Sequence, residues 1–173
     1  MLLLTEIPRA VARHLKGCAF FRTPREISVV ALCEKDIISL VMAHMDALGM
    51  SVTVQVTGCK PEGQAVPGCV RLGNISVVVS VRESIEVNRG GAQGTGISAE
   101  GVIEGVIANL SGVALTTLEG ASLHIGVMIF DGAQQEEDED GLYAWSAMFH
   151  CSGLLKAADV TQSGSQEPEQ SLP

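Results

Sequence analysis

Aromatic side chains are scarce in this chain of 173 residues: one Trp, one Tyr and four Phe, or 3% of the sequence. A platform that stacks nucleic-acid bases needs exposed aromatic faces, and this composition argues against one. Surplus positive charge is missing as well. The formal net charge is −9, whereas affinity for a phosphate backbone comes mainly from Lys and Arg displacing counterions. Apolar runs are only strand-sized, far short of the roughly 20 residues a membrane helix needs. Leu2 to Leu4 is too short for the core of a signal peptide and leads straight into Glu6 and Pro8. The five cysteines (Cys18, Cys33, Cys59, Cys69, Cys151) form no CxxC pair and have no His at zinc-finger spacing. Their odd number reads as free, mostly buried thiols in a reducing compartment. The expectation is a soluble protein, intracellular when synthesised, with no membrane partner, no nucleic-acid sequence recognition and no metal or other cofactor.

What the chain does have is apolar bulk. Hydrophobic residues make up 46% and the mean hydropathy is +0.30, enough for one sizeable core. We expect one compact domain over residues 1–152 and a polar, acidic, disordered tail over 153–173, where Gln, Ser, Gly, Pro and Glu take over. Charge is segregated along the chain. Residues 1–132 carry 12 acids and 10 bases; the remainder carries 8 acids and one base, Lys156. Glu136, Glu137, Asp138, Glu139 and Asp140 are consecutive, while Arg9, Arg13, Lys16, Arg22 and Arg25 cluster near the start against Glu6 and Glu26. A near-neutral body thus joins a basic beginning to an acidic late loop. The ordinary reading of such a run is a solvated loop.

Periodicity predicts the elements. Thr5 to Lys16 reads as a helix capped by Thr5, with Ile7, Val11 and Leu15 on one face. Ile27 to Leu32 reads as a short strand, and Glu34 to Leu48 as an apolar-periodic helix with Gly49 as its C-cap. Ser51 to Thr57 alternates Val52, Val54 and Val56 with polar residues, the mark of a half-buried strand. Asn74 to Glu83 is a longer, central strand. A flexible glycine-dense loop spans Asn88 to Gly96, and Ser98 then caps a helix to about Leu110. Gly101 and Gly105 inside that helix cost about 1 kcal/mol each relative to Ala, so a neighbour should pack closely there. Ala121 to Phe130 and Leu142 to Cys151 read as a last hairpin around an acidic loop, Gln134 to Gly141. The order α-(β)-α-β-β-α-β-β predicts an α+β domain: a mainly antiparallel four-stranded sheet with helices on one face.

Reactive constellations are hard to find. Gly90 to Gly96 lacks the Lys-Ser/Thr of a P-loop, and Gly94, Gly96 and Ala99 meet only the looser dinucleotide pattern. His14, His44, His124 and His150 are scattered, although His124 and His150 fall on the two strands of the last hairpin. There is no G-x-S-x-G elbow, and adjacent His150 and Cys151 point to opposite faces of a strand. Acids crowded into a solvated loop keep ordinary pKa values and gain no catalytic advantage. The expectation is a protein that is not an enzyme.

One segment carries a resemblance. A strand ending in an acid (Glu83), then Asn88-Arg89, then a Gly/Thr-rich loop with Gly94 and Thr95 leading into a helix, resembles phage and prophage tail proteins. The element order and size are similar to the tail terminator (tail completion) family of long-tailed bacteriophages. That resemblance implies a structural virion protein, made in the host cytoplasm. Such a subunit forms a homo-oligomeric ring, a hexamer by preference, that caps the tail tube protein and meets the head connector protein. Candidate residues for subunit or tail contacts are Glu83, Asn88, Arg89, Gly90, Gly91, Gly94 and Thr95 in the loop that carries the resemblance, and Arg9, Arg13, Glu137, Asp138 and Glu139 in the two oppositely charged regions. A ring closes through heterologous contacts, for which oppositely charged regions are suited. Alternatives are another tail part, in the tube or near the baseplate, or a small phosphate-ligand-binding module using Gly90 to Gly96.

Overall fold

β-branched residues dominate the middle of the sequence, and they build the middle of the molecule. The computed structural model describes residues 3–22, 26–63, 69–115, 125–136 and 142–156. Its strands are β1 (Val29–Ala31), β2 (Met50–Pro61), β3 (Cys69–Glu83), β4 (Ile129–Glu136) and β5 (Tyr143–Lys156). They form a sheet in the order β1-β2-β3-β5-β4. β1 runs parallel to β2, and every other pairing is antiparallel. Helices α1 (Leu3–Gly17), α2 (Ile37–Leu48), α3 (Ile85–Gly90) and α4 (Ala99–Leu110) complete the α+β domain.

Strand alternation sorts the two faces of the sheet. Val52 and Val54 of β2, Val77, Val79 and Val81 of β3, and Ala147 and Phe149 of β5 all lie on one face and are buried. Against them pack Ile7, Val11 and Leu15 of α1 and Val102, Val106 and Leu110 of α4, each with no exposed surface. Each such side chain contributes about 1.5–3 kcal/mol of burial. The opposite face is polar. Ser80 and Ser146 share a hydrogen bond of 2.8 Å across β3 and β5, and Ser146 also donates to Glu136.

Several expectations need correction. The sheet has five strands rather than four, because β1 joins it as a parallel edge reached through α2. A parallel pair requires such a crossover, whereas the sequence pattern suggested only hairpins. The helices do not all share one face: α1 and α4 cover the core, while α2 borders the polar face. Although α2 is apolar, none of its residues is buried; Ile38 is 77% and Met42 58% exposed. Helix α1 begins at Leu3, so Thr5 lies inside it rather than capping it. Of the expected strand Ala121 to Phe130, residues 121–124 lie outside the described residues; β4 spans Ile129–Glu136, so Gln134 to Glu136 continue the strand instead of the loop, whose residues 137–141 also lie outside the described residues. Edge strand β4 is largely exposed, so no buried alternation marks it in the sequence. β5 extends to Lys156, four residues beyond the expected domain boundary. Of the four free cysteines described, only Cys151 is buried, and Cys59 is exposed where β2 runs past the core. Among the described residues no helix is long and apolar enough to cross a membrane.

The glycine argument in the last long helix holds. A Cβ built on Gly105 would sit 2.2 Å from the ring of Phe20, so the ring occupies the space a side chain would need. G105A is expected to lower stability by about 1–3 kcal/mol through overpacking, despite the better helix propensity of Ala. In thermal unfolding, adding F20A should recover part of that specific loss, giving a favourable coupling in the double-mutant cycle.

Candidate functional site

The residues matched in sequence from Glu83 to Thr95 converge on one point, where β3 ends and α4 begins. Glu83 is the last residue of β3, and its side chain has no exposed surface. A buried carboxylate is tolerable only when its oxygens are matched by donors. Four donors meet it. Arg89 gives Nε to Oε1 at 2.8 Å and an Nη2 proton to Oε2 at 3.0 Å, a bidentate fork. Asn88 donates Nδ2 to Oε1 at 2.6 Å, and the backbone N–H of Ala99 donates to Oε2 at 2.8 Å. Burial alone pushes the Glu83 carboxyl up; Arg89, Asn88 and the Ala99 amide outweigh it and hold it below the ordinary range.

Asn88 is the second centre, 1% exposed. Its Nδ2 also donates to the Ile97 carbonyl at 2.8 Å. Its Oδ1 accepts from the Thr95 N–H at 2.8 Å and the Thr95 hydroxyl at 2.7 Å. The return of the loop onto α3 is so tight that a Cβ on Gly94 would lie 1.9 Å from the Asn88 carbonyl oxygen. Gly49 ends α2 in the left-handed conformation at φ 66°, as its expected C-cap role requires, and accepts a hydrogen bond from the Ser84 N–H at 2.8 Å. Beside the knot, the Tyr143 hydroxyl donates to Glu100 at 2.5 Å and holds that carboxyl below its ordinary range.

The expected flexible loop is therefore an anchored one. α3 occupies Ile85 to Gly90, and Glu83, Asn88 and Thr95 are buried within the subunit instead of facing a neighbour. Arg89, Gly90 and Gly91 remain exposed. Arg9 and Arg13 lie apart from this knot, on α1. Arg9 bridges Glu6 and Glu34 at 3.1 Å each. Glu137, Asp138 and Glu139 fall outside the described residues, as does His124. His150 pairs instead with Asp131, Nδ1 to Oδ1, at 2.6 Å. Sequence reasoning missed the Ala99 amide and the Ile97 carbonyl. The Ser98 cap, confirmed by its bond from the Gly101 N–H at 3.2 Å, was the available signal for the first.

The arrangement also bears on phosphate binding. The positive end of a helix attracts anions, but at α4 the anion is the protein's own Glu83. The amides of Thr95, Ala99, Gly91 and Gly94 all have internal acceptors, so these donors are not free for a ligand. Cys151 is pushed up to about 11 by burial, which keeps it a thiol at neutral pH.

E83Q is expected to cost about 1–3 kcal/mol at neutral pH, because it removes the charge of a buried carboxylate from its donors and sets the new amide N–H against them, while the half-exposed Arg89 stays solvated. Since the folded-state pKa lies below the unfolded value of about 4.3, the contribution is complete above that value and is lost as pH falls through the lower one. Denaturant melts at stepped pH should therefore show a steeper acid loss in the wild type than in E83Q.

No protein-family model and no curated protein matches this sequence. Among solved structures, a chain of the virion of a native gene transfer agent (GTA) particle superposes with a TM-score of 0.55. The match covers 86% of this chain and 95% of that one at 13% identity, so what the two chains share is the fold.

Proposed function

We propose that this protein is a structural virion component, a tail terminator-like subunit. Copies assemble into a ring that caps the tail tube and joins it to the head connector. The observation that carries this reading is the end-to-end correspondence with a virion chain: nearly the whole of both chains takes part, so the likeness is not confined to a shared motif. The surface supports it. Exposed apolar side chains gather in two places: Leu32, Ile38 and Met42 around α2, over the polar face of the sheet, and Val127, Ile129 and Phe130 at β4. Apolar patches rimmed by charge suit protein–protein contacts. Two different patches on one subunit suit a heterologous contact, the kind that closes rings. In this reading the protein is not an enzyme: the Glu83 knot is a fastener that fixes the β3–α4 junction. It functions in the virion after synthesis in the host cytoplasm.

Light scattering and negative-stain imaging of the purified protein, alone and with a tail tube protein, test this reading. A closed ring of uniform mass, hexameric by preference, that binds the end of the tube is the expected outcome. A protein that stays monomeric at every concentration and ignores the tube would contradict it.

A further inference from the structure

The outer edge of β1 has a gap in its backbone pairing. The Leu32 N–H donates to the Val54 carbonyl of β2 at 2.8 Å, and alternate residues of a strand turn their backbone groups to the same side. Val30 therefore faces β2 with Leu32, while Val29 and Ala31 turn their groups outward. The chain itself covers both ends of this outer edge. The Ile27 N–H donates to the Phe21 carbonyl at 2.8 Å, and the Ala31 carbonyl accepts from the Glu34 N–H at 3.0 Å. Between these two caps, the N–H and C=O of Val29 and the N–H of Ala31 have no partner among the described residues. Val29 is 0% and Ala31 2% exposed, so water does not serve them either. A buried backbone group without a partner is rare and points to an absent one.

Outside the gap lies an open groove of about 460 Å³ between α1 and α2. Ala12 and Lys16 stand on one wall, Leu40 and His44 on the other. Arg9 is held by Glu6 and Glu34, and Arg13 has a contact of its own, so recognition falls to the backbone. Donor, acceptor and donor in this order are what one strand offers another. An antiparallel residue opposite Val29 exchanges both bonds with it, and the residue two along gives its carbonyl to Ala31. The occupant is therefore extended chain, slim enough to lie between two helices.

The same polypeptide carries such a segment. β4 is the other edge of the sheet, with β5 alone beside it, and six of its eight residues are exposed. Beyond the bulge between Phe130 and Gly132, the run Gly132 to Gln135 has no charge and no proline, the usual defences of an open edge. Gly132 and Ala133 are small, and the acids Asp131 and Glu136 flank the run on a strand without a base, which suits the Lys16 rim. Within one chain three strands stand between β1 and β4, and the two edges do not pair.

We infer that the gap in β1, at Val29 and Ala31, pairs with the run Gly132 to Gln135 of β4 in a second copy of this chain, joining neighbouring sheets. The inference rests on the ring reading above and assigns its contact. Main-chain hydrogen bonds give such a strand addition its affinity. Joining unlike edges also repeats head to tail, the arrangement that closes rings.

Hydrogen exchange on the full chain, diluted to monomers and again in the assembled ring, tests the contact. The Val29 and Ala31 amides should exchange about tenfold slower or more in the ring, with the Val30 amide, already turned to β2, as internal reference. Two substitutions then block one edge each. A31P removes the outward N–H and sets its ring in the gap, a place where an edge strand tolerates proline. A133K puts a long charged side chain on the exposed edge of β4. Circular dichroism checks that each variant folds, and L40W, filling the groove from an exposed position, replaces A31P if that one does not. Each variant alone should stay monomeric. Mixed in equal amounts they should form one-to-one heterodimers and nothing larger, because the open β1 of A133K meets the open β4 of A31P. A ring that forms despite either substitution, Val29 and Ala31 amides that exchange equally fast in ring and monomer, or a mixture that gives no heterodimer overturns this contact and leaves the ring reading standing. A wild-type chain that never assembles overturns the ring reading and this contact with it.

Discussion

A buried negative charge organises the junction on which the domain depends. Glu83 ends the central strand, and its carboxylate joins three successive elements of the chain: the strand itself, the short helix with Asn88 and Arg89, and the first turn of α4. Taking a carboxylate out of water is costly, and only the full set of donors offsets that cost. The knot is therefore all-or-none, which fixes the angle at which α4 leaves the sheet and lies on the core. Asn88 extends the same logic by closing the Thr95 loop from inside. Gly91 and Gly94 lack a side chain where backbone passes through the space a Cβ would take.

The core was legible in the sequence because burial imposes a period. Ile7, Val11 and Leu15 mark the inner face of α1, and Val52, Val54 and the valines of β3 mark one face of the sheet; all are buried. Gly49 and Ser98 act as the caps their residue types suggest. What the pattern misplaced lies at the edges. β1 is only three residues long and gains its place by parallel pairing, a long-range fact that local sequence does not encode. β4 carries no buried period because most of it faces solvent. α2 forms where its apolar period places a helix, with Gly49 as its cap, yet Ile38 and Met42 on it are exposed.

The segment from Glu83 to Thr95 was recognisable as a unit, but its position in the fold was not. Polar, glycine-rich sequence suggests a mobile surface loop, since loops usually hold backbone groups in water. Here the polar side chains satisfy that backbone internally, and so the same residues are buried. Of the residues that read as interface in sequence, Glu83, Asn88 and Thr95 prove to be internal fastening, while Arg89, Gly90 and Gly91 stay exposed.

The central physical claim is that Glu83 remains ionised inside the protein, and carbon-13 NMR titration of its side-chain carboxyl tests this most directly. The account predicts an apparent pKa below the ordinary value of about 4.3 for a glutamate, with the Ala99 amide signal following the same titration. A carboxyl titrating at or above that value, or an Ala99 amide insensitive to it, would contradict the account.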